Sequence, residues 1–233
     1  MTKNIFKIIV VFVVGLIGGI FADQILWPYF IERPLFLEYR LDQDPIYVTE
    51  EIFVQENKAL QETIEKVDEI VVGIKSETQA GKIIEGSGLI ITSDGLIVTL
   101  SDLLPSGSET LVSFNGKEYS PEFIQLSDGI ALIKIEEERL PTSDFLDFNQ
   151  LKIGKRVFLL GAIFEKNKVK KIVNDGIIRY LDEEYIYTNI DEKEARGSVL
   201  FDIEGNVIGL NDLNKNGEVI SFSISEIRKE FGF

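Results

Sequence analysis

Hydrophobic positions change period three times along the chain. From Ile8 to Ala22 no charged or strongly polar residue occurs, and Ile5 and Phe6 extend the apolar run to residues 5–22, with Lys7 the one interruption. A run of that length is about the minimum that spans ~30 Å of hydrocarbon as a helix. Residues 35–48 carry little pattern. In "TEEIFVQENKALQETIEKV" the apolar positions Phe53, Leu60, Ile64 and Val67 fall on one helical stripe, with Thr49 as expected N-cap and Glu50 and Glu51 in the first turn. From residue 70 the period becomes that of strands. About twelve short segments rich in Val, Ile, Phe and Tyr follow, from "EIVVGIKSE" to "EVISFSI", punctuated by Asp94-Gly95, Asn115-Gly116, Gly205-Asn206 and Asn216-Gly217. A short helix "SEIRKEF", with Ser225 as expected N-cap, closes the chain.

This pattern predicts three parts. Residues 1–34 form a cytoplasmic tip, a transmembrane anchor and an interfacial segment. Residues 35–69 form a linker with an amphipathic helix, and residues 70–233 form an all-β domain with room for two six-stranded barrels. Lys3 and Lys7 precede the apolar run, Asp23 and Glu32 follow it, and Trp27, Tyr29 and Phe30 supply an aromatic belt. The positive-inside rule places the N-terminus in the cytoplasm and the β domain outside, as a single-pass protein of the cell membrane. A cleaved signal peptide is the rival, although "GGIFADQ" lacks a small-x-small cleavage pattern. The 49–67 helix is read as docking on the β domain, against a short coiled coil joining copies of the chain.

Composition narrows the chemistry. The net charge is −15, which repels phosphate backbones, so no nucleic-acid partner is expected. Cysteine is absent, which removes disulfides and thiolate chemistry. Histidine is absent too. These 233 residues therefore hold neither a Ser–His–Asp site nor a histidine-ligated metal, and no cofactor or metal is expected.

Seven segments appear in a telling order: "EKVDEIVVGI" (65–74), "EGSGLIITSDGLIVTLSDLL" (85–104), "SDGIALIKIE" (127–136), "LKIGKRVFLLG" (151–161), "VNDGIIRYL" (173–181), "YTNIDEKEARGSVLFDIEGNVIGLN" (187–211) and "ISFSISEI" (220–227). Together they resemble the trypsin-like domain of HtrA/Deg serine proteases, without the C-terminal peptide-binding domain usual in that family. The resemblance implies a trypsin-like double β-barrel. It also implies a base, an orienting aspartate, a nucleophile and backbone donors for an oxyanion. The position matching the histidine base is Asp102, in "IVTLSD". The orienting aspartate maps to Gly129, or to Asp128 one residue earlier. The "GNSGGPLF" loop of the family reads "EARGSVLF", which puts Arg196 at the nucleophile and Glu194 at the first glycine.

With all three positions changed, the expectation is a membrane-anchored pseudoprotease that binds a peptide or protein along the strands flanking "RGSVLF" and the segment "VNDGIIRYL". Asp102 and Arg196 are expected to pair across the former site. Two alternatives stand beside this reading. One is an active peptidase using Ser198 as nucleophile, with Lys193 as base. The other is a structural envelope protein that assembles through the 49–67 helix, with a homo-oligomer as one form of that assembly.

Overall fold

The computed structural model describes residues 2–24, 48–127, 129–166, 168–182 and 185–233, with side chains in the second helix described from residue 58. The expected aromatic belt at Trp27, Tyr29 and Phe30, the acidic Glu32, the linker 35–47, the side chains of Thr49 and Phe53, and Asp128 lie outside the described residues.

Helix α1 (Thr2–Phe21) continues as one wider turn through Gln24, and its described side chains are exposed. Residues Ile5–Gln24 are long and apolar enough to cross a membrane, a test that a signal sequence also passes. Helix α2 (Val48–Val67) starts one residue before the expected cap Thr49. Its C-terminal half docks as the stripe predicts. Val67 is buried, and Leu60 and Ile64 pack against the same core. Thr63 donates to the carbonyl of Ile203 at 3.0 Å.

Among the described residues thirteen strands follow, against the expected count of about twelve. The stretch 117–127 forms two strands with a break at Ser120-Pro121, because proline cannot donate to a ladder. The strands are β1 (Val71–Glu77), β2 (Ile83–Ile90), β3 (Leu96–Leu100), β4 (Glu109–Phe114), β5 (Lys117–Tyr119), β6 (Glu122–Ser127), β7 (Ile130–Lys134), β8 (Arg156–Glu165), β9 (Lys168–Leu181), β10 (Tyr185–Thr188), β11 (Val199–Asp202), β12 (Val207–Leu213) and β13 (Val219–Ser223). All ladders between them are antiparallel. The first seven form one sheet in the order β5-β4-β1-β2-β3-β7-β6. The last six close a barrel in the order β10-β13-β12-β11-β8-β9.

The expected six-plus-six division is thus seven plus six, and among the described residues the first sheet does not close through ladder hydrogen bonds. Yet β5 and β6 sit at opposite ends of that sheet and are joined by two residues. Three Cα steps span at most about 11 Å, so the chain itself curls the sheet round on itself and leaves a seam. The larger core, with Ile74, Leu89, Ile97 and Ile133 from the first sheet and Phe158 and Phe201 from the barrel, runs from one sheet into the other. Phe158 and Phe201 stack at 5.2 Å. A second core inside the barrel holds Leu159, Ile178, Ile186 and Leu200.

The closing helix α3 (Ile224–Phe231) is capped by Ser223, whose hydroxyl accepts from the Ser225 amide. Ser225, the expected cap, instead accepts from the Phe148 amide at 2.9 Å. Its hydroxyl ties the helix to the loop before the barrel, so tertiary contact moved the helix start two residues upstream.

One buried carboxylate secures the β11–β12 turn. Asp202 accepts from the amides of Glu204 (3.1 Å) and Asn206 (2.9 Å) and from the Asn206 side chain (3.0 Å), and Lys155 lies 3.1 Å away. Burial works to raise its pKa, but the Asn206 and Lys155 hydrogen bonds outweigh it and hold the group below the ordinary aspartate value. A lowered pKa means stability that is complete above the unfolded value near 3.9 and lost as pH falls through the folded value. Asp202→Asn should cost about 1–3 kcal/mol at pH 7 and flatten the stability profile below about pH 4, measured by urea denaturation across pH.

Candidate functional site

Three chain segments, far apart in sequence, converge between the two sheets. The first follows β3, where the helical turn Ser101–Leu103 carries Asp102. The second precedes β7, where Gly129 sits at φ 85° in a turn. The Ser101 amide donates to the Gly129 carbonyl at 2.8 Å, so these two segments are locked side by side. The third is the loop Ala195–Ser198 ahead of β11. Its Gly197 amide donates to the Asn211 carbonyl at 2.8 Å, and its Arg196 carbonyl accepts from the Ser87 amide at 3.0 Å.

These constraints put Arg196 against Asp102. The guanidinium donates to Asp102 Oδ2, the pair expected from the sequence. Asp212, on β12, was not foreseen. Its Oδ1 lies 3.6 Å from Arg196 Nε, so one cation faces two carboxylates. No local pattern in the sequence signals Asp212, because its approach to Arg196 depends on where β12 runs. The Asp102 side chain keeps 57% of its exposure and Arg196 32%, so water reaches the pair.

The remaining candidates have defined places. Ser198 is wholly buried; its hydroxyl donates to the Ala195 carbonyl at 2.6 Å and accepts from Nδ2 of the Asn211 side chain at 2.9 Å. Asn211 in turn accepts from Ser221. Lys193 and Glu194 are exposed. Among the described residues only Asn115, Arg139 and Lys166 combine a side chain with positive φ, so Glu194 avoids the strain that a glycine position would impose. The loop keeps its left-handed residue at Gly197, φ 72°. The Glu194 amide points to Glu192, whose Oε1 accepts it at 3.2 Å. A cleft of about 210 Å³ beside the loop is lined by Glu85, Phe164, Glu165, Lys193, Glu194 and Arg196, among others. Among the described residues no group of three or more acidic side chains is placed to hold a metal ion.

A family model described as trypsin-like peptidase domain matches residues 86–210, more than half of the chain. The chain belongs to the trypsin-like peptidase family. A probable periplasmic serine endoprotease, DegP-like, of Halomonas elongata is 30% identical over 112 residues, covering 44% of this chain and 24% of that protein. The chain thus aligns with about a quarter of that relative's length. Two structures of the HtrA-type protease AlgW with tripeptide superpose with TM-scores of 0.66 and 0.65. Each is 18% identical and covers 74% of this chain and 62% of that one. The HtrA-like, trypsin-type arrangement of the domain follows from these matches together with the two-sheet topology.

Arg196 sits at the centre of the loop before β11. Guanidinium stays charged at any working pH, and it is neither a nucleophile nor a base. Its two carboxylate neighbours neutralise it and hold it in place. The geometry separates the weight of the loop's backbone from that of its surface ion pair. A Cβ added at Gly197 would lie 2.0 Å from the Ser87 carbonyl oxygen at a φ that disfavours it. Gly197→Ala should therefore cost more than about 2 kcal/mol in chemical denaturation. Asp102→Asn, which removes one half-exposed charge, should change stability by less than about 1 kcal/mol.

Proposed function

We propose that this protein is a non-catalytic, trypsin-like domain held at the outer face of the cell membrane by α1, acting through binding of a peptide or another protein. The observation that carries this reading is the Arg196 guanidinium shared by Asp102 and Asp212 in a histidine-free chain. At the positions that match the family's base, orienting residue and nucleophile stand Asp102, Gly129 or Asp128, and Arg196. The Glu192 carboxylate on the Glu194 amide adds to it, since a negative group there opposes an oxyanion.

Ser198 is the alternative nucleophile. Its buried hydroxyl already donates to a carbonyl and accepts from an amide, which speaks for a packing role. Assembly through the 49–67 helix is disfavoured by the docking of Leu60, Ile64 and Val67 onto the β domain, because that consumes most of the apolar stripe. Binding fits the acidic, rigid scaffold better, and the AlgW structures with tripeptide illustrate that this fold can hold short peptides. In this proposal the N-terminus faces the cytoplasm and the β domain is extracytoplasmic, with α1 retained as an anchor.

The full chain in detergent, incubated with unfolded casein and separately with a fluorophosphonate probe, is expected to give no fragments and no adduct. Casein cleavage that disappears in Ser198→Ala would overturn the non-catalytic reading. Topology has its own test in a chain without cysteine. Lys215→Cys, on an exposed turn, should react with a membrane-impermeant maleimide added to intact cells or spheroplasts; protection until lysis would reverse the orientation.

A further inference from the structure

The seam of the first sheet is an unusual surface. Among the described residues strand β6 pairs only with β7, and its other edge meets no strand. On the opposite bank β5 covers only Val112–Phe114 of β4, so Glu109–Leu111 pair with β1 alone. Between the banks lies a groove of about 840 Å³, lined by Leu104, Glu109, Thr110, Phe123, Leu126 and Ile133, among others.

The floor of this groove is what the barrel interior would bury. The ladder between β6 and β7 slips at Ile124, so Phe123 lies opposite Ile133 and Leu126 opposite Ala131. Ile133 and Ala131 share one face of β7, and residues directly opposite in an antiparallel pair point the same way. The bulge therefore turns both Phe123 and Leu126 toward the face where Ile133 is buried. Yet Phe123 is 54% and Leu126 56% exposed. Inward-facing side chains of a small barrel are normally packed. Here two large ones face an open slot.

We propose that this seam is a docking slot for an extended peptide segment of a partner protein, with apolar side chains at alternate positions and a basic residue beside them. Two bare strand edges need backbone N–H and C=O groups, which a strand supplies and a lipid chain does not. Alternate side chains of the guest would cover Phe123, Leu126 and Ile133. Strand β6 is six residues long, so it matches a guest segment of about that length. Glu109 and Glu122 at the two banks, in a chain of net charge −15, favour a basic flank over an acidic one. A second copy of this chain would bring its own acidic banks into the slot. The slot is separate from Arg196, and the inference holds whether or not the cleft there is catalytic.

The test uses the full chain in detergent against a phage library of random dodecapeptides, counter-selected on Leu126→Asp. Enriched sequences are expected to alternate apolar residues beside Lys or Arg. A fluorescein-labelled enriched peptide should bind saturably in anisotropy and at least tenfold more weakly to Leu126→Asp and to Phe123→Ser. Arg196→Ala should bind it unchanged, and the bound peptide should slow hydrogen exchange across 122–127. Near-UV circular dichroism of both slot variants shows whether they are folded, and their half-exposed positions make that the expected result. The proposal is overturned by failure to enrich peptides that discriminate Leu126→Asp. Protection confined to the Arg196 loop, palmitate binding without peptide binding, or dimerisation abolished by Leu126→Asp would each overturn it as well.

Discussion

Arg196 is the point where the two sheets are stapled together. Its carbonyl receives the Ser87 amide from β2, and its guanidinium reaches Asp102 beyond β3 and Asp212 on β12. Backbone and side chain of one residue thus tie the first sheet to the barrel. Gly197 makes this possible, since only a residue without Cβ can pass so close to the Ser87 carbonyl. The loop thus serves as an anchorage between the sheets, with a cation at its centre.

That substitution has consistent surroundings. A guanidinium in a cleft between two sheets needs compensation, and two carboxylates, one on the turn after β3 and one on β12, provide it. Both are partly solvated, so the arrangement avoids the desolvation cost of a fully buried pair. Deeper down, Ser198, Asn211 and Ser221 form a closed hydrogen-bonded chain at zero exposure. The polar groups beneath the loop are satisfied by one another, and this rigidity suits a fixed scaffold.

The surface divides into two differently built regions. The cleft at Arg196 is charged on both sides, with Glu85, Glu165 and Glu194 beside Lys193 and Arg196. The seam between β4 and β6 is apolar and edged by bare backbone. A proline-terminated turn and a bulge at Ile124 create the seam, and the short chain connection prevents it from spreading. The first region is built from charged side chains and the second from apolar side chains beside strand edges.

Much of this was legible in the chain of residues. Strand periodicity, turn glycines and the order of seven segments suffice for a trypsin-like domain, because a repeating pattern of burial depends on local spacing alone. The apolar run at 5–22 and the stripe through Leu60, Ile64 and Val67 are legible for the same reason. The pairing of Asp102 with Arg196 followed from family resemblance and charge complementarity. Tertiary structure decided the rest. Asp212 joins the cation only because β12 runs beside the loop, Ser223 displaces Ser225 as a cap because Ser225 is engaged by Phe148, and the seam depends on how β5 and β6 end the sheet. Each of these rests on a contact between distant segments, and no local pattern encodes which distant groups will meet.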